Sequence, residues 1–292
     1  MTYYLVIPLF YLVCLLPRRA QNSMSSLFYW VLYRVVHYRV KVVRSNLENS
    51  FPEKSEAERM EIERKFYHHL ADVFLETILL ATMSAKEIKK RIEFINVEQI
   101  ERYTAGRSWI AAMAHYGSWE YTISWGLHSK HDKVLAVYRP LVDKGFDRYF
   151  RRTRSRFGVD PVAMDSVARE LVRYNATGTK VTLALIADQN PPRVSPNWLN
   201  FLGQPTLFFN GMEKLAHKFQ MPVAFIHIDK FDNGHYKAWM EVIYDGTEKL
   251  PDGEITRRYA AKLEEMIRER PELWMWSHRR WKHVPPSDAD LF

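Results

Sequence analysis

His115 and Glu120 bracket a short turn, His115-Tyr116-Gly117-Ser118-Trp119-Glu120, directly after the apolar run Trp109-Ile110-Ala111-Ala112-Met113-Ala114. An imidazole aligned by a carboxylate can take a proton from a hydroxyl. The apolar run reads as a buried strand, and a glycine-containing turn at its end is how an α/β sheet presents chemistry at its carboxyl edge. Trp119 and Glu120 then open the next helix, where a carboxylate also favours the helix N-terminus. The spacing by itself is common, and a strand-end histidine capped by a neighbouring helix gives the same pattern.

The elements that would position this pair alternate along the chain. Candidate strands are Ile92–Val97, Ile110–Ala114, Val134–Tyr138, Val181–Ile186, Val223–Ile228 and Ala238–Val242. Candidate helices cover Trp119–Leu127, Phe146–Phe157, Asp165–Tyr174, Gly211–Phe219 and Glu254–Arg268. This predicts an α/β fold, a mixed central sheet flanked by helices. Upstream, Ser55 to about Met83 is helical in pattern. Ser55 and Glu58 form a capping box, and Phe66, Leu70, Val73, Phe74, Thr77, Ile78 and Ala81 share one face. Before it, the uncharged stretch Tyr3 to Leu16 is shorter than the roughly 20 residues of a full membrane span. A signal peptide is disfavoured, because no basic region precedes it. With the aromatic stretch Met24 to Val36 and the cations Arg34, Arg39, Lys41 and Arg44, it reads as N-terminal membrane-associated helices; buried core helices are the competing reading. The expected division is a membrane anchor or interfacial segment at 1–45 and a catalytic domain at 46–292.

Two further strand ends carry candidate site residues. Val137-Tyr138-Arg139-Pro140 precedes a very basic helix, with eight Lys or Arg against two acids between Lys133 and Gly158. Many of these must be solvated, but Arg139 and Arg154 could converge on phosphates or an oxyanion. Asp188 and Gln189 follow Leu185-Ile186-Ala187 and precede Asn190-Pro191-Pro192. An aspartate there suits a site held by a stiffened turn, or equally an Asx-turn that caps its own loop. Near the C-terminus, Trp274-Met275-Trp276-Ser277-His278-Arg279-Arg280-Trp281-Lys282 interleaves tryptophans with cations, a surface for lipid phosphates or for stacked nucleic-acid bases.

The 292 residues are 47% hydrophobic and carry a net charge of +8, enough for a large core and a bias towards anionic partners. The single cysteine, Cys14, lies in an apolar run, which excludes a disulfide framework and a cysteine metal site. No Gly-x-Ser-x-Gly box is present. His68, His69, His128 and His131 lack metal-ligand spacing, and no metal site is expected. The basic residues are dispersed, without a recognised nucleic-acid motif.

Read together, the chain resembles the lipid A biosynthesis acyltransferase family, the late lauroyl and myristoyl acyltransferases of Gram-negative bacteria, over essentially its whole length. The resemblance rests on His115-x4-Glu120, Tyr138-Arg139-Pro140 with the arginine cluster, Ala187-Asp188-Gln189, and the Trp274 to Lys282 block. It implies a glycerol-3-phosphate-acyltransferase-like fold and transfer of a fatty acyl chain from acyl carrier protein to a hydroxyl of a lipid A precursor. His115 would be the general base and Glu120 would fix its tautomer, while Arg139, Arg154, Asp188 and Gln189 would bind substrate. Arg154 is preferred to Arg156 as the site arginine. The resemblance further implies no cofactor beyond the acyl-carrier thioester and no nucleic-acid partner. The partners would be the carrier, a phosphorylated glycolipid and the membrane, at the cytoplasmic face of the bacterial inner membrane. The alternative is a same-fold acyltransferase acting on another lipid: a glycerolipid, an ornithine lipid or a glycosylated phosphoinositide.

Overall fold

Strand β2 (Trp109–Met113) is buried at every position, which is why its sequence shows no polar alternation. It lies in the middle of a seven-stranded sheet in a computed structural model that describes residues 2–104, 106–191, 198–232 and 234–286. The other strands are β1 (Ile92–Phe94), β3 (Lys133–Tyr138), β4 (Val159–Ala163), β5 (Val181–Ile186), β6 (Trp198–Phe201), β7 (Gln204–Leu207), β8 (Val223–Asp232) and β9 (His235–Tyr244). The sheet order is β1-β9-β8-β2-β5-β3-β4, and every pairing is parallel except the β8–β9 hairpin. The fold is therefore mixed α/β, as the alternation of elements implies.

Ten α-helices accompany the strands among the described residues: α1 (Thr2–Leu15), α2 (Arg18–Tyr29), α3 (Val40–Ser50), α4 (Glu56–Leu79), α5 (Ala85–Arg91), α6 (Val97–Tyr103), α7 (Lys144–Arg154), α8 (Val167–Ala176), α9 (Gly211–Phe219) and α10 (Glu254–Glu269). The Ser55–Glu58 capping box opens α4, each partner bonding the other's backbone N–H. Trp119–Leu127, expected as an ordinary helix, is a nine-residue 3₁₀ segment. The hydroxyls of Thr122 and Ser124 bond back to the carbonyls of Trp119 and Tyr121, three residues earlier, which favours the tighter winding.

Two strands absent from the sequence reading have legible causes. β4 reads Val-Asp-Pro-Val-Ala, and its Pro161 is tolerated because β4 is the sheet's edge. β6 and β7 form a separate hairpin whose two turn residues, Leu202 and Gly203, both have positive φ (52° and 72°). That is the twist a two-residue hairpin needs, reached with leucine where asparagine is usual.

The N-terminal helices lie against the domain. Tyr33, in a π-helical stretch (Trp30–Val35), donates to the buried Glu63 of α4 at 2.8 Å, and Arg44 of α3 closes on the same carboxylate at 2.9 and 3.1 Å. The Ser25 hydroxyl bonds Asp72 of α4. In α1, Tyr3 and Phe10 pack their rings on Phe146 and Tyr149 of α7, while Leu5, Leu9, Leu12 and Leu15 are exposed. No helix among the described residues is long and apolar enough to cross a membrane. The division expected at residue 45 falls inside α3.

Glu76 of α4 is buried beneath the sheet's β9 side, where the Tyr236 hydroxyl donates to both carboxylate oxygens at 3.1 Å. Burial raises this carboxyl from 4.5 to about 7, with Lys230 pulling the other way. The folded chain then holds a proton that the unfolded chain has released, so stability falls as pH rises between about 4.5 and 7 and is level above. Glu76→Gln keeps an acceptor for Tyr236 without titrating. Denaturant midpoints measured across that window should show wild type losing on the order of 3 kcal/mol relative to the variant. Parallel curves would remove Glu76 from the titration.

Candidate active site

Register decides what meets at the sheet's carboxyl edge. β2 and β5 are parallel neighbours paired Met113↔Ile186, so two residues further on His115 stands beside Asp188. The His115 turn is then fixed from several directions. Its carbonyl accepts from Met275 N–H at 3.1 Å, and Gly117 N–H donates to Leu273 O at 3.0 Å. The Tyr116 hydroxyl donates to the carbonyls of Met266 and Arg270, both at 3.0 Å. Gly117 has φ +57°, and a Cβ there would come within 2.7 Å of the Ile228 methyl Cγ2, so the turn requires glycine on both counts.

Asp188 is 2% exposed and accepts three N–H bonds. His115 Nδ1 reaches Oδ1 at 2.7 Å, while the His115 backbone N–H and Trp274 Nε1 reach Oδ2 at 3.0 and 2.9 Å. Burial pushes the Asp188 carboxyl up, but its interaction with His115 and these hydrogen bonds outweigh it and hold the group below its ordinary range. A carboxylate can only accept, so Nδ1 carries a proton, and in the neutral ring Nε2 is the nitrogen with the lone pair. The Gln189 side-chain nitrogen lies 3.3 Å from Nε2 and can donate to it.

Glu120 takes a different partner from the one its spacing suggests. Arg154 of α7 grips it through Nε and one terminal nitrogen, at 3.0 and 2.5 Å. Burial works against the Arg154 charge, and the Glu120 carboxylate more than restores it. The carboxylate that orients the His115 ring is therefore Asp188, not Glu120. The 3₁₀ winding from Trp119 carries Glu120 across to α7, and the bidentate grip occupies both of its oxygens. Asp188, for its part, bonds the neighbouring strand's histidine and does not cap its own loop. Pro192, the second proline of that loop, lies outside the described residues.

His115, Glu120, Arg139, Arg154 and Gln189 all line one cavity of about 920 Å³. Arg139 is exposed at its rim, while Arg156 turns away to donate to the Met83 carbonyl at 2.8 Å. The cavity's wall is apolar and runs down alternate positions of three strands. Ala111, Ala184 and Ala136 form one row in register across β2, β5 and β3, with Trp109, Thr182 and Val134 in the row beyond. Three small side chains side by side leave a channel above the sheet, and Trp109 and Trp125 meet edge-to-face at its far end with ring centroids 6.0 Å apart. Phe10, Val31, Leu32 and Phe74 complete the wall, so the exposed Phe74 of α4 belongs to the cavity.

Three other histidines have contacts away from this site. His68 stacks on Tyr29 at 3.6 Å, His128 lies edge-on to Phe94, and His131 Nε2 bonds the Arg107 carbonyl. Among the described residues, no group of three His, Cys, Asp or Glu converges as metal ligands.

A lone pair on a carboxylate-aligned imidazole, at the mouth of a deep apolar channel, is equipped to deprotonate a hydroxyl next to a long hydrocarbon. The sequence model of bacterial lipid A biosynthesis acyltransferases matches residues 1–283. The chain belongs to that family. It is also 24% identical over 268 residues to a lipid A biosynthesis acyltransferase of Haemophilus influenzae, covering 91% of this chain and 82% of that protein. The protein is thus an acyltransferase of lipid A biosynthesis.

The pairing of His115 with Asp188 is the functional contact that sequence reading missed. The signal for it lay in two apolar runs that each end in an alanine directly before a polar group, Ala114 before His115 and Ala187 before Asp188. Asp188→Asn is expected to lower turnover of this acyltransferase about 10³-fold or more, with circular dichroism unchanged, because an amide favours the wrong ring tautomer. A loss below about tenfold would mean the ring works without its carboxylate.

Proposed function

We propose that the enzyme moves a fatty acyl chain from acyl carrier protein to a hydroxyl of a phosphorylated lipid A precursor, at the cytoplasmic face of the bacterial inner membrane. The observation that carries this reading is the His115 Nε2 lone pair at the mouth of the alanine-floored cavity. In the proposed reaction His115 accepts the proton of the acceptor hydroxyl as its oxygen attacks the thioester carbonyl. Asp188 holds the resulting imidazolium. The tetrahedral intermediate collapses with cleavage of the C–S bond, and the imidazolium returns the proton to the departing carrier thiolate. The thioester is the activated species, so no further cofactor is needed. Arg154, kept charged and aimed by Glu120, is the nearby cation for the developing oxyanion. Arg139, exposed at the rim, suits a phosphate of the acceptor. The net charge of +8 favours both an acidic carrier and an anionic lipid.

The outward leucines of α1, followed by Arg19 and Arg34, suit a helix lying in the plane of the bilayer interface. The cavity wall shared with Phe10, Val31 and Leu32 would then open beside the acyl region where the acceptor resides.

The test uses detergent-purified protein, acyl carrier protein charged with C12 to C16 chains, and a tetra-acylated, Kdo-bearing precursor, with products read by mass. Wild type should add one acyl chain, and His115→Ala should lose about 10²- to 10⁴-fold while remaining folded. No transfer by folded wild type to this acceptor, with transfer to another lipid hydroxyl, would replace the acceptor in this reading. Ala184→Leu should fill the channel's alanine row and shift the preferred donor to shorter chains. Each methylene excluded costs about 0.8 kcal/mol, roughly fourfold in relative rate. An unchanged chain preference in competition assays would place the acyl chain elsewhere.

A further inference from the structure

The Trp274–Trp281 segment folds against the His115–Asp188 dyad and contributes two groups that the proposed reaction leaves without a role. The first is Trp274, 2% exposed, whose indole N–H reaches Asp188 Oδ2 at 2.9 Å. It is wedged edge-on between Trp276, Phe201 and Trp281, with ring centroids 4.7, 6.0 and 6.1 Å away. Those neighbours are themselves tethered: Trp276 Nε1 to the Pro271 carbonyl at 2.6 Å, and Trp281 Nε1 to the Thr206 hydroxyl at 2.7 Å. Asn46 of α3 clamps the segment's backbone, donating to the carbonyls of Trp276 and His278 at 2.8 and 3.0 Å. The indole therefore has one orientation available.

The second group is Arg280, also 2% exposed. Its guanidinium lies over the Phe208 ring at 4.6 Å and has a single acceptor, Asn190 Oδ1 at 3.2 Å. Its Nε and other terminal nitrogen are buried and have no hydrogen-bond partner among the described residues. A buried guanidinium without a bonded carboxylate is costly. Its acceptor Asn190 follows Asp188 by two residues, and the Asp188 carboxylate favours its charged form.

We infer that Trp274 and Arg280 are positioning residues of the acyl transfer, which keep Asp188 a carboxylate and set how readily His115 accepts a proton. The assignment rests on His115 being the base. The charges around the dyad support it. Burial lowers Arg280 only to about 10, so it remains a cation at neutral pH, and Asp188 cancels it. His278, on the same segment, is held neutral by burial, which lowers it to about 4. Glu120 from the 3₁₀ segment and Arg154 from α7 neutralise each other. Tyr259 of α10 stays un-ionised because burial raises its phenol. Lys282, which acts on His278, and Arg39, which donates to the Ser277 carbonyl at 3.0 Å, are further cations along this segment. With a neutral His115 ring, the Asp188 and Arg280 charges cancel, and the group becomes +1 when His115 takes the hydroxyl proton as the oxyanion forms. Without Arg280, the Asp188 charge would be uncompensated and would favour the protonated ring. Losing the Trp274 N–H acts in the same direction, because a less solvated carboxylate attracts the imidazolium more strongly.

The test titrates His115 in the full chain in detergent by NMR of ring-labelled histidine, alongside the pH dependence of kcat/KM with an acyl-carrier donor. Arg280→Met and Trp274→Phe should each move the His115 midpoint upward by about half a pH unit or more, and Arg280→Lys should restore it. The acid limb of kcat/KM should follow. A merely structural role would lower the folded fraction and leave the midpoint of the folded signal in place, so an unmoved or lowered midpoint in both variants overturns the inference. A raised midpoint with an unmoved rate limb upholds the electrostatic assignment and removes His115 as the base instead.

Discussion

A carboxylate with 2% exposure is the constraint on which the rest of this structure depends. Burying Asp188 is unfavourable unless its oxygens are fully bonded, and the three N–H groups that satisfy them come from distant parts of the chain. Two belong to His115, which requires β2 and β5 to be adjacent, parallel and in one register. The third is an indole from the C-terminal segment, which requires Trp274 to be wedged against Phe201 of the β6–β7 hairpin and its neighbours to be clamped by α3. The outer hairpin, the Trp-rich tail and an N-terminal helix all converge on one anion.

The same sheet separates chemistry from hydrocarbon. Side chains alternate along a strand, so Trp109 and Ala111 of β2, Thr182 and Ala184 of β5, and Val134 and Ala136 of β3 line the cavity from one face, and three of them in one row are alanines. Small side chains there cost little in strand stability because the strands are held by neighbours on both sides, yet they create space beneath the 3₁₀ segment. The nine-residue 3₁₀ run is less stable than an α-helix of that length, and it is held by close approach instead. A Cβ on Gly126 would meet the Phe157 carbonyl at 2.0 Å. Winding, glycine and cavity are parts of one packing solution.

Much of this was legible in sequence, and what was not has physical reasons. The six expected strands correspond to every strand of the seven-stranded sheet except the edge strand β4, because buried apolar runs between turn signals identify themselves. β4 was hidden by Asp160 and Pro161, which only an edge position permits. The β6–β7 hairpin was hidden by a leucine at positive φ. The helices α3, α5 and α6 are short, and their faces are decided by tertiary partners such as Trp276 and Met240 rather than by a clear period. Of the site, His115, Arg154, Asp188 and Gln189 were each found at strand ends or in the arginine helix. Their pairing was not, because adjacency of β2 and β5 is a property of topology that local spacing does not contain.

The two carboxylates of the site illustrate why spacing misleads. Glu120 is neutralised by a guanidinium that stays charged throughout any reaction, and both of its oxygens are engaged by it. Such a pair has nothing left with which to answer a new positive charge on a neighbouring ring. Asp188 is bonded to the one partner in the site that can change its charge, at the distance of a charge-assisted hydrogen bond. When the ring gains a proton, that contact strengthens while the others remain as they were. An aligning carboxylate must be the one whose interaction differs between the resting and protonated ring, since only a differential interaction lowers a barrier. By that criterion the geometry assigns alignment of the His115 ring to Asp188 and leaves Glu120 to aim the arginine.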